Sequence, residues 1–388
     1  MPVIVTVNAG SSSIKCALYA DAPEPAEQAR VEIEALGAAA RLVIVEGDRR
    51  SDQAIGPADH AGGFARAIAA LRDLVRGRKI AAVGHRIVHG GAKIDGPRVL
   101  SDAVLAEVAA LAPLAPLHQP HNIAGVRAAQ QAFGGVVQVG VFDTAFHRGH
   151  DRVHDIYALP RRYLAQGIRR YGFHGLSYAF VAAHLAEHHP VLAKGRVIAA
   201  HLGNGASLCA MHDGRSVASS MGFSALDGLP MGTRVGQLDP GVLLYLLDQG
   251  MDSAALTAML YEQSGLKGLS GISHDMRVLL ASDAPEAAEA VAYFTARLTR
   301  EIGAMAAVLG GVDGLVFTGG IGQHAAPIRA NALAGLGFLG LELDAAANAA
   351  HAALIHKGRV PILVMATDEE RMIARAVRGV LLTRAGAG

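Results

Sequence analysis

Val3-Ile4-Val5-Thr6-Val7 runs into Asn8-Ala9-Gly10-Ser11-Ser12-Ser13-Ile14-Lys15, after which Cys16 and Leu18 continue the alternation begun at Ile14. A β-branched apolar run, a small polar turn with a glycine, and renewed period-two patterning predict strand, tight loop, strand. The loop offers hydroxyls at Ser11 and Ser13, an amide at Asn8, close backbone approach at Gly10 and a cation at Lys15, groups that suit a bound phosphate. It is not a Walker A loop, because no G-x-x-x-x-G-K-[ST] is present and a strand rather than a helix follows. By itself a serine-rich hairpin tip is also an ordinary turn.

Further along, Val197-Ile198-Ala199-Ala200-His201-Leu202 leads into Gly203-Asn204-Gly205-Ala206-Ser207 and then Leu208-Cys209-Ala210, a second strand, small-residue turn and strand. Two such hairpins facing one another across a cleft would hold a polyphosphate between them. A third turn, Thr318-Gly319-Gly320-Ile321-Gly322, ends the strand Leu315-Val316-Phe317 and precedes a helix, whose start presents free N–H groups to an anion.

Around these turns the pattern reads as strands near 3–7, 14–19, 30–35 and 41–46, a helix near 61–76, a strand at 80–88, helices near 101–111 and 121–132 and a strand at 136–142. After a loop-rich bridge the order recurs, with strands near 196–202, 206–211 and 215–219, helices near 240–249 and 286–309, a strand at 314–318, a helix near 326–335, a strand at 361–365 and a final helix from about 368. Two rounds of strands followed by alternating helices and strands predict a duplicated α/β domain.

A chain of 388 residues is too long for one ordinary core, and two domains are expected. Hydrophobic content of 51% against 18% charged residues describes a well-buried globular protein. A net charge of +1 gives no electrostatic case for nucleic acid or an anionic membrane surface. No apolar run approaches the length of a membrane span, and the N-terminal run lacks a basic region before it, so neither a transmembrane segment nor a signal peptide is expected. Cys16 and Cys209 fall in predicted strands and read as core residues of a cytoplasmic protein.

Other polar residues are harder to explain as packing. Arg86 lies in the apolar strand Gly84-His85-Arg86-Ile87-Val88-His89-Gly90-Gly91, and Arg234 in Met231-Gly232-Thr233-Arg234-Val235-Gly236. A guanidinium in such surroundings must meet a carboxylate or a phosphate. A fixed salt bridge, to Asp143 or Asp239, is the competing explanation. His174, in Tyr171-Gly172-Phe173-His174-Gly175, is flanked by glycine and aromatic residues, and alone such a residue is more often a satisfied buried histidine than a catalyst. His85 and His89 cannot share one ion, since four strand residues span about 13 Å. The run His147-Arg148-Gly149-His150-Asp151-Arg152-Val153-His154 matches no zinc spacing and reads as a solvated loop.

These residues resemble the acetate kinase family (the acetate and propionate kinases of the acetokinase group, within the sugar kinase–Hsp70–actin superfamily) across essentially the whole chain. The matching motifs are Asn8–Lys15, Gly84–Gly91, Pro116-Leu117-His118, Val141-Phe142-Asp143-Thr144-Ala145-Phe146-His147, Tyr171–Gly175, His201–Ser207, Met231–Arg234 with Leu238-Asp239-Pro240-Gly241, Thr318–Gly322 and Thr367-Asp368-Glu369-Glu370. The resemblance implies two ribonuclease H-like domains with mixed sheets flanked by helices. Their expected bounds are 1–147 and 148–370, with a C-terminal helix over about 370–388 packing back on the first and the active site between them. It implies Mg²⁺-dependent (with Mn²⁺ as an alternative ion), reversible phosphoryl transfer between ATP and a short carboxylate, and a homodimer. Arg86, His174 and Arg234 would then stabilise the transferring group, while Asp143 and Glu369 organise the metal together with Asn8. Ser11, Ser13, Lys15, His201, Gly203, Asn204 and Gly205 would surround phosphates. Asp275, Met276 and Arg277, with Gly319, Gly320, Ile321 and Gly322, would hold the nucleoside. Val88, Leu117 and Phe173, beside Arg86, would form the acyl slot.

The chemistry is coherent with that set. A carboxylate substrate is ionised at neutral pH and needs no general base, so Asp143 is better cast as an organiser than as a proton acceptor. A sugar or glycerol kinase would need such a base, and an actin-like or Hsp70-like ATPase would not need the two arginines and a histidine. Several positions depart from the family's pattern: Leu176-Ser177-Tyr178 for Thr-Ser-His, Ala225 for proline, Gln237 for aspartate, Gln323-His324 for Glu-Asn and Asp368 for asparagine. Loss of the proline ring would widen the slot toward propionate.

Overall fold

The computed structural model describes residues 1–10, 13–116 and 118–386, so the expectations placed on Ser11 and Leu117 lie outside the described residues. Contacts divide the chain into two compact units, Met1–Phe146 with Asp368–Gly388, and His147–Thr367.

The first unit is built on an eight-stranded sheet ordered β5-β4-β3-β2-β1-β6-β8-β7. Its strands are β1 (Val3–Ala9), β2 (Ile14–Ala20), β3 (Glu27–Glu34), β4 (Gly37–Glu46), β5 (Arg49–Ala58), β6 (Ile80–Ile87), β7 (Arg98–Val99) and β8 (Val137–Phe142). The opening stretch is the hairpin that its alternation predicts, with Val7 opposite Cys16 and Ala9 opposite Ile14. The Gly10 N–H donates to the Ser13 carbonyl at 2.9 Å across the tip. One sheet face is covered by α1 (His60–Leu74) and α3 (Gln119–Ala132), α2 (Asp102–Ala109) lying between them in sequence. Val5, Leu18, Ile33, Phe64, Leu71 and Ala129 share the core there. The C-terminal helix (Glu369–Gly386) covers the other face. A Cβ on Gly84 of β6 would stand 2.5 Å from both Ile373 and Val377, so this glycine lets helix and strand meet.

The second unit holds a five-stranded sheet ordered β11-β10-β9-β12-β13. These strands are β9 (Arg196–Leu202), β10 (Ala206–His212), β11 (Arg215–Ser219), β12 (Gly314–Thr318) and β13 (Ile362–Val364). Its helices include α4 (Gly175–His188), α5 (Pro240–Asp248), α6 (Gly265–Ser270), α7 (Met276–Leu280), α8 (Pro285–Leu309), α9 (Gly319–His324) and α10 (Ala326–Leu333). Phe294, Leu298 and Ile302 of α8 are fully buried, whereas α5 has no buried residue and exposes Leu244 and Tyr245.

The duplication read from the sequence is visible as topology. In β3-β2-β1-β6-β8 two antiparallel pairings are followed by two parallel ones, and β11-β10-β9-β12-β13 repeats that series. Both predicted phosphate loops are the tight turn of the same central hairpin, β1–β2 and β9–β10.

Two expectations need correction. β5 was not foreseen, because this edge strand is exposed along its length and carries Gly56 and Pro57, so no apolar alternation marks it. The bridge between the halves is not mainly loop: α4 occupies Gly175–His188, and its buried Leu176, Val181 and Leu185 are diluted by alanines and histidines that flatten the helical period. Among the described residues, no helix is long and apolar enough to cross a membrane.

Candidate active site

In the first unit, Asn8, Arg86 and Asp143 stand at or just beyond the carboxyl ends of β1, β6 and β8, neighbouring parallel strands whose shared direction brings the three together. This is the edge at which open α/β sheets bind ligands. Arg86 Nε donates to Asp143 Oδ1 and Oδ2 at 3.2 and 3.1 Å, and Nη2 donates to Oδ2 at 2.6 Å. The salt bridge anticipated as the competing explanation therefore exists, with Asp143 rather than Asp239, which caps α5 by accepting from the Gly241 N–H. Burial works against the Arg86 charge, but the Asp143 and Glu369 carboxylates hold its pKa well above the ordinary value. Nη1 also donates to Asn8 Oδ1 at 3.2 Å.

The other end of the Asn8 amide gathers two carboxylates. Asn8 Nδ2 donates to Glu369 Oε2 at 3.1 Å and to Glu370 Oε1 at 3.0 Å. Burial and the neighbouring Glu369 push the Glu370 carboxyl up, an effect opposed by Lys15 and Asn8. Glu370 was not foreseen as a site residue, although it is adjacent to Glu369 in sequence. Asn122 is a second addition. Its Oδ1 accepts from the Val88 N–H at 2.9 Å and its Nδ2 donates to the Ala9 carbonyl at 3.2 Å, tying the residue after β6 to the end of β1. Asp368 accepts from the Arg371 N–H and from Tyr19 Oη, so this departure from the family pattern fastens the start of the C-terminal helix.

In the second unit the chain turns sharply into α4. Gly172 has φ +71°, and any Cβ there would stand 2.6 Å from the His147 ring. His174 caps α4 in the left-handed region at φ 56°, a conformation that costs a non-glycine residue about 1–3 kcal/mol and is concentrated at functional sites. Its Nδ1 lies 2.8 Å from Ser207 Oγ, which is 2.5 Å from Tyr178 Oη. The His174 and His201 rings are 4.4 Å apart. A Cβ on Gly205 would be 3.1 Å from His174 Nε2 and 3.3 Å from Arg234 Nη2. The bare glycine turn thus allows an imidazole nitrogen and a guanidinium to flank the same small space. Arg234 Nη1 donates to the Ala225 carbonyl at 3.0 Å, a bond that does not depend on the side chain at 225. Asn204 joins the group, since its carbonyl accepts from the Gly232 N–H at 3.1 Å.

The third glycine turn packs beside the second. Thr318 pairs with His201 across the parallel strands, and a Cβ on Gly319 would stand 2.6 Å from the Leu202 carbonyl oxygen. Gly320 faces open space, and among the described residues the buried Thr318 hydroxyl has no hydrogen-bond partner. Gly322 is buried behind Ile321, and the Gly322 and Gln323 carbonyls accept from the fully buried Arg329 at 2.8 Å. Asp275 caps α7 by accepting from the Arg277 N–H at 2.9 Å; Met276 is buried, and the exposed Arg277 guanidinium closes back on Asp275 at 2.6 Å. Gln237 accepts a hydrogen bond from Arg297.

The His147–His154 run is solvated only in part: Gly149, Asp151, Arg152 and Val153 are exposed, whereas the His147 and His150 side chains turn inward. His147 and His150 are both buried against Ser216, His147 at 2.8 Å and His150 at 2.6 Å, and His150 also meets the buried Asp155. Among the described residues, no group of three His, Cys, Asp or Glu side chains is placed to hold a metal. Burial lowers His85 to about 4, His147 to about 3 and His150 to about 4. Unfolded, these imidazoles take up protons below about 6.5, whereas folded they stay neutral until about 4 or below. The unfolded chain thus binds more protons in that window, and stability is lost as pH falls from about 6.5 toward 4. His85→Gln should flatten part of the decline in melting temperature over this range. An unchanged slope would remove His85 from the account.

The acetokinase family model matches residues 3–375. An acetate kinase of Methylocella silvestris is 49% identical over 96% of this chain and 96% of its own length, and one of Nitrobacter hamburgensis is 46% identical over 99% and 97%. Among solved structures, a propionate kinase from Francisella tularensis superposes with a TM-score of 0.89 at 36% identity, covering 97% of this chain and 99% of that one. The Porphyromonas gingivalis acetate kinase gives 0.86 at 35%, covering 98% and 100%. These matches make the chain an ATP-dependent kinase. The chain belongs to the acetokinase family.

Proposed function

We propose that this chain transfers the γ-phosphoryl group of ATP to acetate, reversibly, giving acetyl phosphate and ADP. The observation that carries the reading is the approach of His174 Nε2 and Arg234 Nη2 to one face of Gly205. Phosphoryl transfer asks mainly for positioning and for cations around an anionic group, and this pair supplies both on a turn too bare to obstruct it. Arg86 supplies a second guanidinium. Its bidentate hold on Asp143 leaves that carboxylate an anchor, which accords with a nucleophile that needs no base.

Glu369 and Glu370 fit Mg²⁺, or Mn²⁺ in its place. Both offer hard oxygen donors, the pair sits beside Lys15 in the first phosphate-loop hairpin, and the Glu370 carboxyl, raised first by burial and then by Glu369, is one whose charged form a cation would favour. Magnesium is commonly held by one or two carboxylates together with substrate phosphates, so no third acidic ligand is required. When bound, it would neutralise charge on the phosphate oxygens. Asn8, whose amide nitrogen faces the two carboxylates, orients them.

Val88, Leu117 and Phe173 are assigned by resemblance to an acyl slot for a short acid, and all three are apolar. One methylene in such a slot is worth about 1–3 kcal/mol, so propionate should be used less well than acetate and butyrate less again. The test is acyl phosphate formation with ATP and Mg²⁺, trapped as the hydroxamate, for acetate, propionate, butyrate and glycerol in parallel. Strong trapping with acetate and weaker trapping with propionate is the expected result. A higher kcat/KM for propionate would instead favour a propionate kinase, the reading raised by Ala225 and by the Francisella structure. ADP release with no trapped product would defeat both.

A further inference from the structure

Tyr178 and Ser207 take no part in the reaction as described, yet they stand directly behind the imidazole that does. Tyr178 is fully buried on the first turn of α4, four residues after His174. Ser207, also fully buried, lies near the start of β10 opposite His201. The two hydroxyl oxygens are 2.5 Å apart, and Ser207 Oγ is 2.8 Å from His174 Nδ1. We propose that Tyr178, acting through Ser207, is a positioning residue that fixes His174 as the tautomer protonated at Nε2, so that this nitrogen donates to the phosphoryl group.

The direction of the chain follows from proton counting. The phenol is held neutral, its pKa pushed well above the ordinary value first by burial. A buried neutral phenol must place its proton, and the hydroxyl oxygen of Ser207, 2.5 Å away, is the acceptor that the geometry offers. Ser207 Oγ accepts it, and the serine proton then points to His174 Nδ1. An imidazole that accepts at Nδ1 carries its proton on Nε2. That nitrogen is the one beside Gly205 and Arg234 Nη2. Backbone strain at His174 adds weight, since a left-handed cap must be held by its surroundings.

The inference rests on the phosphoryl-transfer reading only for the use of Nε2–H, so its test has one arm that needs no reaction. Tyr178→Phe keeps the ring, including its edge contact with His147 at 5.7 Å, and removes the oxygen alone. In protein labelled with ¹⁵N-histidine, the His174 signals assigned through His174→Asn should report the Nε2–H tautomer in the parent. Tyr178→Phe and Ser207→Ala should each produce a mixture. Kinetically, each variant should lose about tenfold in kcat with KM for acetate and ATP unchanged, and the double variant should lose little more than either alone. A residue that merely stabilises the fold would lower the melting temperature and leave both the tautomer and kcat in place. An unchanged His174 tautomer in both single variants overturns the proposal. A parent protein that shows the Nε2–H tautomer, lost in both variants, but forms no acyl phosphate overturns the proposed function and leaves the hydroxyl chain standing.

Discussion

Arg234→Ala is expected to lower kcat by about 10³–10⁵-fold, the range that removal of a phosphoryl-clamping arginine costs, while the melting temperature stays close to that of the parent. The separation is possible because of what Arg234 holds in this structure. Its Nη1 donates to a backbone carbonyl, at Ala225, and the side chain is partly open to solvent. Truncation leaves that carbonyl, on the half-buried Ala225, to water. Arg86→Ala should be equally damaging to kcat but for mixed reasons. It strips Asp143, only 1% exposed, of its bidentate partner, and breaking a buried ion pair from one side costs about 3–5 kcal/mol. The double substitution Arg86→Ala/Asp143→Ala separates the two effects. It should recover much of the lost stability, because no buried charge is stranded, and should recover none of the activity. Hydroxamate trapping and thermal unfolding on the same samples would decide it. A folded Arg234→Ala variant with near-parental kcat would end the assignment of Arg234 to the transferring group.

The hairpins were legible because their signal is local. Alternation in β1 and β2 and a run of small polar residues between them are enough to write strand, turn and strand, and the same grammar recurs at β9 and β10. The pairing of Arg86 with Asp143 was legible as a need, since an arginine in an apolar strand demands an acceptor. What chose Asp143 over Asp239 was the parallel pairing of β6 with β8, which no local pattern reveals. The inward turn of His147 and His150, in a run whose Asp151, Arg152 and Val153 are exposed as expected, was missed for the converse reason. The charges of the run look solvated in sequence, but a glycine at position 172, with φ +71°, admits the His147 ring, and Ser216 in β11 supplies its partner. Ser207 was visible only as the last residue of the second small-residue turn, with nothing to mark its hydroxyl. One serine in an apolar strand becomes important only because Gly175 opens a helix behind a left-handed His174. Tyr178 was visible as a departure from the family pattern, but as a lost histidine; its role emerges only with the hydroxyl of Ser207 at 2.5 Å.

The second large effect should come from a residue that touches no substrate. Gly265 opens α6 at φ +63°, and a Cβ there would stand 2.2 Å from the Met231 carbonyl oxygen, 2.7 Å from that of Arg234 and 3.0 Å from the Arg234 nitrogen. All three neighbours are backbone, so no side chain can swing aside. The same contact is laced by hydrogen bonds, from the Ser264 N–H to Thr233 at 3.0 Å, from Leu266 to Met231 at 2.8 Å and from Lys267 to Gly232 at 2.9 Å. Gly265→Ala must therefore either keep the bonds and bear the overlap or move the loop that carries Arg234. The first course costs about 2–5 kcal/mol, combining left-handed strain with overpacking, against a total stability of about 5–15 kcal/mol for an ordinary domain. The second displaces the guanidinium, and a shift of about 1 Å in a positioning group costs on the order of 10²-fold in rate. Both lead to a variant of lower melting temperature and lower kcat. Gly303→Ala is the control, because this glycine lies inside α8 with nothing within 4 Å of its Cβ position, and alanine there should stabilise by about 0.5–1 kcal/mol with kcat untouched. Parental stability and parental kcat together in Gly265→Ala would show that the 231–235 loop does not rest on α6 as the structure places it.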